Sequence, residues 1–88
     1  MDKRKLVEAA LFISGKEMRR EKLAEMLQMT AADVERVVQG LKEEYDSNSR
    51  SSIMLRVSGD VYKMDIEPGY VEAVRRLAPE VELSRGVL

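Results

Sequence analysis

Between Ile53 and Ile66 the hydrophobic period of the chain is two, and the alternation runs symmetrically outward from Gly59-Asp60. Ile53, Leu55 and Val57 alternate with Met54, Arg56 and Ser58; beyond the glycine, Tyr62, Met64 and Ile66 alternate with Val61, Lys63 and Asp65. That is the pattern of two half-buried strands. Glycine at the first of two central positions suits a type II′ turn. Such a turn sets Val57 opposite Tyr62, Leu55 opposite Met64 and Ile53 opposite Ile66, so all three apolar pairs share one face. A slip of one residue would scatter them over both faces, so pattern and turn chemistry select one register.

Everything before the hairpin repeats with a helical period. From about Asp2 to Ser14, Leu6, Ala9, Ala10 and Ile13 form one stripe, and Gly15 supplies a stop. Val7, Leu11 and Phe12 lie outside that stripe, so this helix is apolar over far more than the ~100° arc that one core needs. Those three residues are the first candidates for contact with a partner. A short second helix follows from about Glu21 to Met29, with Leu23, Met26 and Leu27 in phase and Met18 in a brief extended piece before it. Thr30 reads as an N-cap with Asp33 three residues on, and Val34, Val37, Val38, Leu41 and Tyr45 carry a third helix to Asp46. Residues 47–52 bury nothing and form a loop. After the hairpin, Pro68 opens a fourth helix through Tyr70, Val71, Val74 and Leu77, limited by Pro79.

This order of elements is that of a winged helix-turn-helix, mainly α with a small antiparallel hairpin (α+β), with one helix appended. The expected core is Leu6, Ile13, Leu23, Leu27, Val34, Val38, Leu41, Leu55 and Met64. The methionines Met26, Met29 and Met64 read as packing, and Tyr45, Tyr62 and Tyr70 as aromatics at the core edge. On the outer wing face, Met54 and Val61 are a second pair of candidate partner contacts.

The chain has 88 residues, enough for a single core that buries roughly 60–65 % of the unfolded surface. It holds no cysteine and no histidine, which removes disulfides, thiolate chemistry and the usual general base and zinc ligand. No nucleophile elbow, phosphate-binding glycine loop or apolar carboxylate pair is present, so an enzyme is not expected and no cofactor is implied. The cysteine usage, and the lack of any apolar run near the ~18 residues a bilayer demands, read as a cytoplasmic protein.

A winged helix serves DNA binding and protein docking alike, so charge must decide between them. A DNA reader places its third helix in the major groove, where phosphates reward cations. Here that helix carries Asp33, Glu35, Glu43, Glu44 and Asp46 against Arg36 and Lys42, a net of −3, and the whole chain is at −1. A transcriptional regulator that reads DNA through Arg36, Gln39 and Lys42 is the alternative, opposed by those neighbouring carboxylates. The basic cluster Lys16, Arg19, Arg20 and Lys22 reads as solvated surface.

The stretch from Lys5 to Lys16, Lys-Leu-Val-Glu-Ala-Ala-Leu-Phe-Ile-Ser-Gly-Lys, resembles the opening of the segregation and condensation protein B (ScpB) family, whose members read as an "EALLF-SG" helix. Leu23-Ala24-Glu25-Met26-Leu27, the third helix ending in Glu43-Glu44-Tyr45, and Tyr62-Lys63-Met64 continue the likeness over nearly the whole chain. Glu82 to Leu88 resembles the linker and first residues of the second winged-helix domain of that family, departing from it at Gly86. The resemblance implies a winged-helix domain over 1–79 and a linker or stub over 80–88. It further implies a non-enzymatic accessory subunit of the SMC complex in chromosome condensation and segregation. Such a subunit forms homodimers and clasps the kleisin ScpA, which bridges the SMC ATPase heads, and so is associated with the nucleoid.

Overall fold

The computed structural model describes residues 1–78, and within them the elements run α1 (Lys3–Ser14), β1 (Met18–Arg19), α2 (Arg20–Leu27), α3 (Ala31–Asp46), β2 (Ile53–Ser58), β3 (Val61–Ile66) and α4 (Pro68–Leu77). Residues 80–88, the expected linker or stub, lie outside the described residues.

The hairpin closes in the expected register, with Ile53, Leu55 and Val57 opposite Ile66, Met64 and Tyr62. Gly59 takes φ 62° and Asp60 does not follow it to positive φ, the sign pattern of a type II′ turn. β1 adds to the far side of β3 through Met18↔Tyr62 and Arg19↔Val61, giving the sheet order β1-β3-β2. This is the three-stranded sheet of a winged helix. The Arg20 guanidinium locks the wing to the start of α2, its Nε donating to the Tyr62 hydroxyl at 2.8 Å, while the Arg20 N–H donates to the Asp60 carbonyl at 2.7 Å.

Capping explains where the helices begin and end. The Thr30 hydroxyl accepts from the Asp33 N–H at 3.0 Å, as its position before the valine series suggests. α2 starts one residue earlier than its periodicity suggests, because β1 feeds straight into it. It stops at Leu27 because Gln28 turns left-handed at φ 55°, which lets the Met29 N–H reach back to the Ala24 carbonyl at 2.9 Å. Pro68 stands in the first turn of α4, where its missing N–H costs no hydrogen bond.

The core consists of Val7 and Leu11 from α1, Met18, Leu23 and Ala24, then Val34, Val38 and Leu41 from α3, and Leu55 and Tyr62 from the wing. Leu27, Met29 and Met64 pack on its margin. Five expectations are corrected. Leu6 is only half-buried and Ile13 is on the surface, because α1 turns a different stripe inward; Met26 and Tyr70 are exposed as well. Tyr62 is fully buried, with its hydroxyl satisfied by Arg20.

Candidate partner-binding surface

Two helical stripes of α1 compete for the core, one through Leu6, Ala9, Ala10 and Ile13, the other through Val7, Ala10, Leu11 and Ser14. They differ by one residue, a rotation of about 100°. The second is buried: Val7 and Leu11 are 0 % exposed. Its rotation is held from outside, because the Arg4 guanidinium pairs with the Glu44 carboxylate and the Tyr45 hydroxyl donates to Glu8, both across to α3. Burial and the Glu8 carboxylate together push the Tyr45 hydroxyl up to about 12.

Val7 and Leu11 are therefore core residues and cannot meet a partner. What α1 turns outward is Phe12 at 69 % exposure, Ile13 at 81 %, and Ala9 one turn before both. Ala9 and Phe12 are three residues apart, and Ala9 and Ile13 four, so the three share a face. The helix that carries them is fixed at both ends. The Asp2 carboxylate accepts from the Arg4 N–H at 2.9 Å, and Gly15 at φ 62° donates its N–H to the Leu11 carbonyl. Phe12 was legible as a candidate contact; Ile13 was not, because it belonged to a stripe that looked equally fit for the core.

The second exposed apolar surface is on α4, where Tyr70, Val74 and Leu77 follow one another at i, i+4, i+7 and no residue of the helix is buried. A ten-residue helix with no buried side chain has little to hold it in isolation.

On the wing, Met54 and Val61 are half-buried and line a groove of about 370 Å³ together with Lys42, Arg56 and Lys63. Arg56 and Lys63 both reach the Asp65 carboxylate, at 2.9 and 3.4 Å. Burial alone would raise the Asp65 carboxyl, but the Ile66 N–H, Lys63 and Arg56 outweigh it and hold the group below its ordinary value.

The outward face of α3 carries a net negative charge. Arg36 pairs with Asp33 at 2.8 Å and Lys42 with Asp46 at 2.7 Å, so both cations of the helix are neutralised within it. Glu35, Glu43 and Glu44 remain exposed. Among the described residues no cluster of three His, Cys, Asp or Glu side chains is placed to hold a metal ion, and no helix is long and apolar enough to cross a membrane.

Residues 5–88 match the family model described as "Segregation and condensation complex subunit ScpB". The chain belongs to the ScpB family. Among curated ScpB proteins it is similar to that of Caldanaerobacter subterraneus subsp. tengcongensis, at 33 % identity over 92 % of this chain and 47 % of the relative. To that of Streptococcus sanguinis it is 32 % identical over 100 % of this chain and 49 % of the relative. The chain thus spans about half the length of the curated ScpB relatives it matches. A crystal structure described as a dimer of the ScpB N-terminal domain complexed with ScpA peptide superposes with a TM-score of 0.71. It covers 85 % of this chain and 93 % of its own at 21 % identity, a likeness of fold that places the winged helix of this chain with the ScpB N-terminal domain.

Proposed function

We propose that this chain is a non-enzymatic accessory subunit of the SMC-kleisin complex in chromosome condensation and segregation, dimerising and binding the kleisin ScpA. The observation that carries this reading is the surplus apolar surface of α1: with the core already complete, Phe12 and Ile13 stand 69 % and 81 % exposed. Contiguous exposed apolar surface of that kind marks an interaction site. Phe12, with Met54 and Val61 on the wing, are the proposed contacts. Membership of a family of segregation and condensation subunits supports the reading, as does the likeness to a domain that is itself described as a dimer holding an ScpA peptide. The ATP chemistry of the complex belongs to SMC, and the subunit works in the cytoplasm, reaching the nucleoid through its partners.

The test is sedimentation velocity from low to high micromolar protein, followed by calorimetric titration with ScpA. A dimer at the upper concentrations and a saturable ScpA isotherm are expected. A monomer throughout, with no heat on adding ScpA, refutes the reading. Binding to duplex DNA that weakens steeply with salt would favour the regulator alternative instead.

A further inference from the structure

The exposed face of α1 is apolar in the middle and positive at its ends. Lys5, Ala9 and Phe12 follow at i, i+4, i+7 along one line, Ile13 lies beside Phe12, and Lys16 comes immediately after the Gly15 cap. Lys5 and Lys16 are exposed and take part in no ion pair among the described residues. Of the nearby carboxylates, Asp2 caps the helix and Glu8 accepts from Tyr45, while the exposed Glu17 follows Lys16 and pairs with no cation among the described residues.

That distribution discriminates between the two occupants that the proposed function allows. A second copy laid antiparallel across the same face, about a two-fold axis between Ala9 and Phe12, sets Lys5 of each subunit against Lys16 of the partner subunit. A parallel arrangement sets each lysine against its own copy. Both juxtapose like charges at both ends of the contact, which an interface avoids. An amphipathic segment with apolar residues in its centre and Asp or Glu toward its ends matches the face in shape and sign.

We infer that the α1 face of Ala9, Phe12 and Ile13, bracketed by Lys5 and Lys16, is the seat of an acidic amphipathic segment of ScpA and is not the seam between two copies of this chain. The inference rests on the proposed function and deepens it by assigning one surface to one partner.

The test uses the full chain, ScpA, and two variants altered only at exposed positions: the double variant Lys5→Glu, Lys16→Glu, and Phe12→Ser. Each is measured for ScpA affinity by calorimetry at 50 and 500 mM salt, and for self-association by sedimentation velocity. The double variant is expected to bind ScpA at least tenfold more weakly at 50 mM salt and to lose most of the salt dependence that the unaltered chain shows. Phe12→Ser is expected to weaken binding about tenfold at either salt concentration, and both variants to keep the self-association of the unaltered chain. If the unaltered chain binds ScpA and both variants bind it equally well, the assignment of this face is overturned while the proposed function stands. Variants that lose self-association but keep ScpA binding give the face to the second copy and overturn the inference in the opposite sense. Failure of the unaltered chain to bind ScpA at all overturns the proposed function and this inference together.

Discussion

Truncating Leu11 and truncating Ile13 should give opposite results, although the two residues are both aliphatic and two positions apart on α1. Leu11 is fully buried, and Leu11→Ala deletes three buried carbons, roughly 2.4 kcal/mol at ~0.8 kcal/mol per group. The cavity left in the core adds to this, so the total is about 3–4 kcal/mol. A domain of this size is stabilised by only about 4–13 kcal/mol, so the variant loses a large fraction of its margin. At about 4–8 °C per kcal/mol the melting temperature should fall by roughly 12–32 °C. Ile13 is 81 % exposed, and Ile13→Ala should cost under about 0.5 kcal/mol in dilute solution. Because this face is assigned to ScpA and not to a second copy, the cost of Ile13→Ala should be the same at low and high protein concentration. The assay is urea unfolding followed by circular dichroism, run at two protein concentrations well apart. Equal cost of the two truncations in dilute protein, or a larger cost for Ile13, would refute the rotation of α1 described above.

Three further outcomes follow from local geometry and titration. Gly40 sits in mid-α3 with nothing within 4 Å of an added Cβ, so Gly40→Ala should raise stability by about 0.5–1 kcal/mol. Gln28→Gly should raise it by about 1 kcal/mol, since φ 55° strains any residue with a Cβ; a fall in either unfolding midpoint contradicts this. Because the Tyr45 hydroxyl is raised in the folded state to about 12 from an ordinary 10.0, its contribution is fully present below pH 10 and is lost as pH rises from 10 to 12. Stability should therefore fall across that window and a late phenolate absorbance step should appear near pH 12, both absent in Tyr45→Phe.

The wing was legible residue by residue because everything that specifies it is local. The alternation along Ile53–Ser58 and Val61–Ile66, together with a glycine that accepts φ 62°, permits a single register. The Thr30 cap and the apolar series of α3 were readable for the same reason, since the cap acts over three residues and the stripe repeats within one helix. The charge that weighs against a DNA reader was equally near the surface of the sequence, in the five carboxylates of α3; the structure adds that Arg36 and Lys42 pair with Asp33 and Asp46.

The contact surface was only partly legible. Phe12 stood out as apolar beyond the needs of one core, but so did Val7 and Leu11, which the fold consumes. Met26 and Tyr70 looked like packing residues because a side chain's spacing says nothing about whether a neighbour arrives to cover it.

Taken alone, the sequence determined the order of the elements, the pairing of the wing and the net negative charge of α3, all of which depend on residues within a few positions of one another. Only the tertiary structure decided which side of α1 is interior. That choice rests on Arg4 meeting Glu44 and Glu8 meeting Tyr45, partners 40 and 37 residues distant, and on the space that α3 and the wing leave for Val7 and Leu11. A helix with two usable stripes has no intrinsic preference strong enough to choose between them, so the surface it presents to a partner is set by what the rest of the chain packs against it.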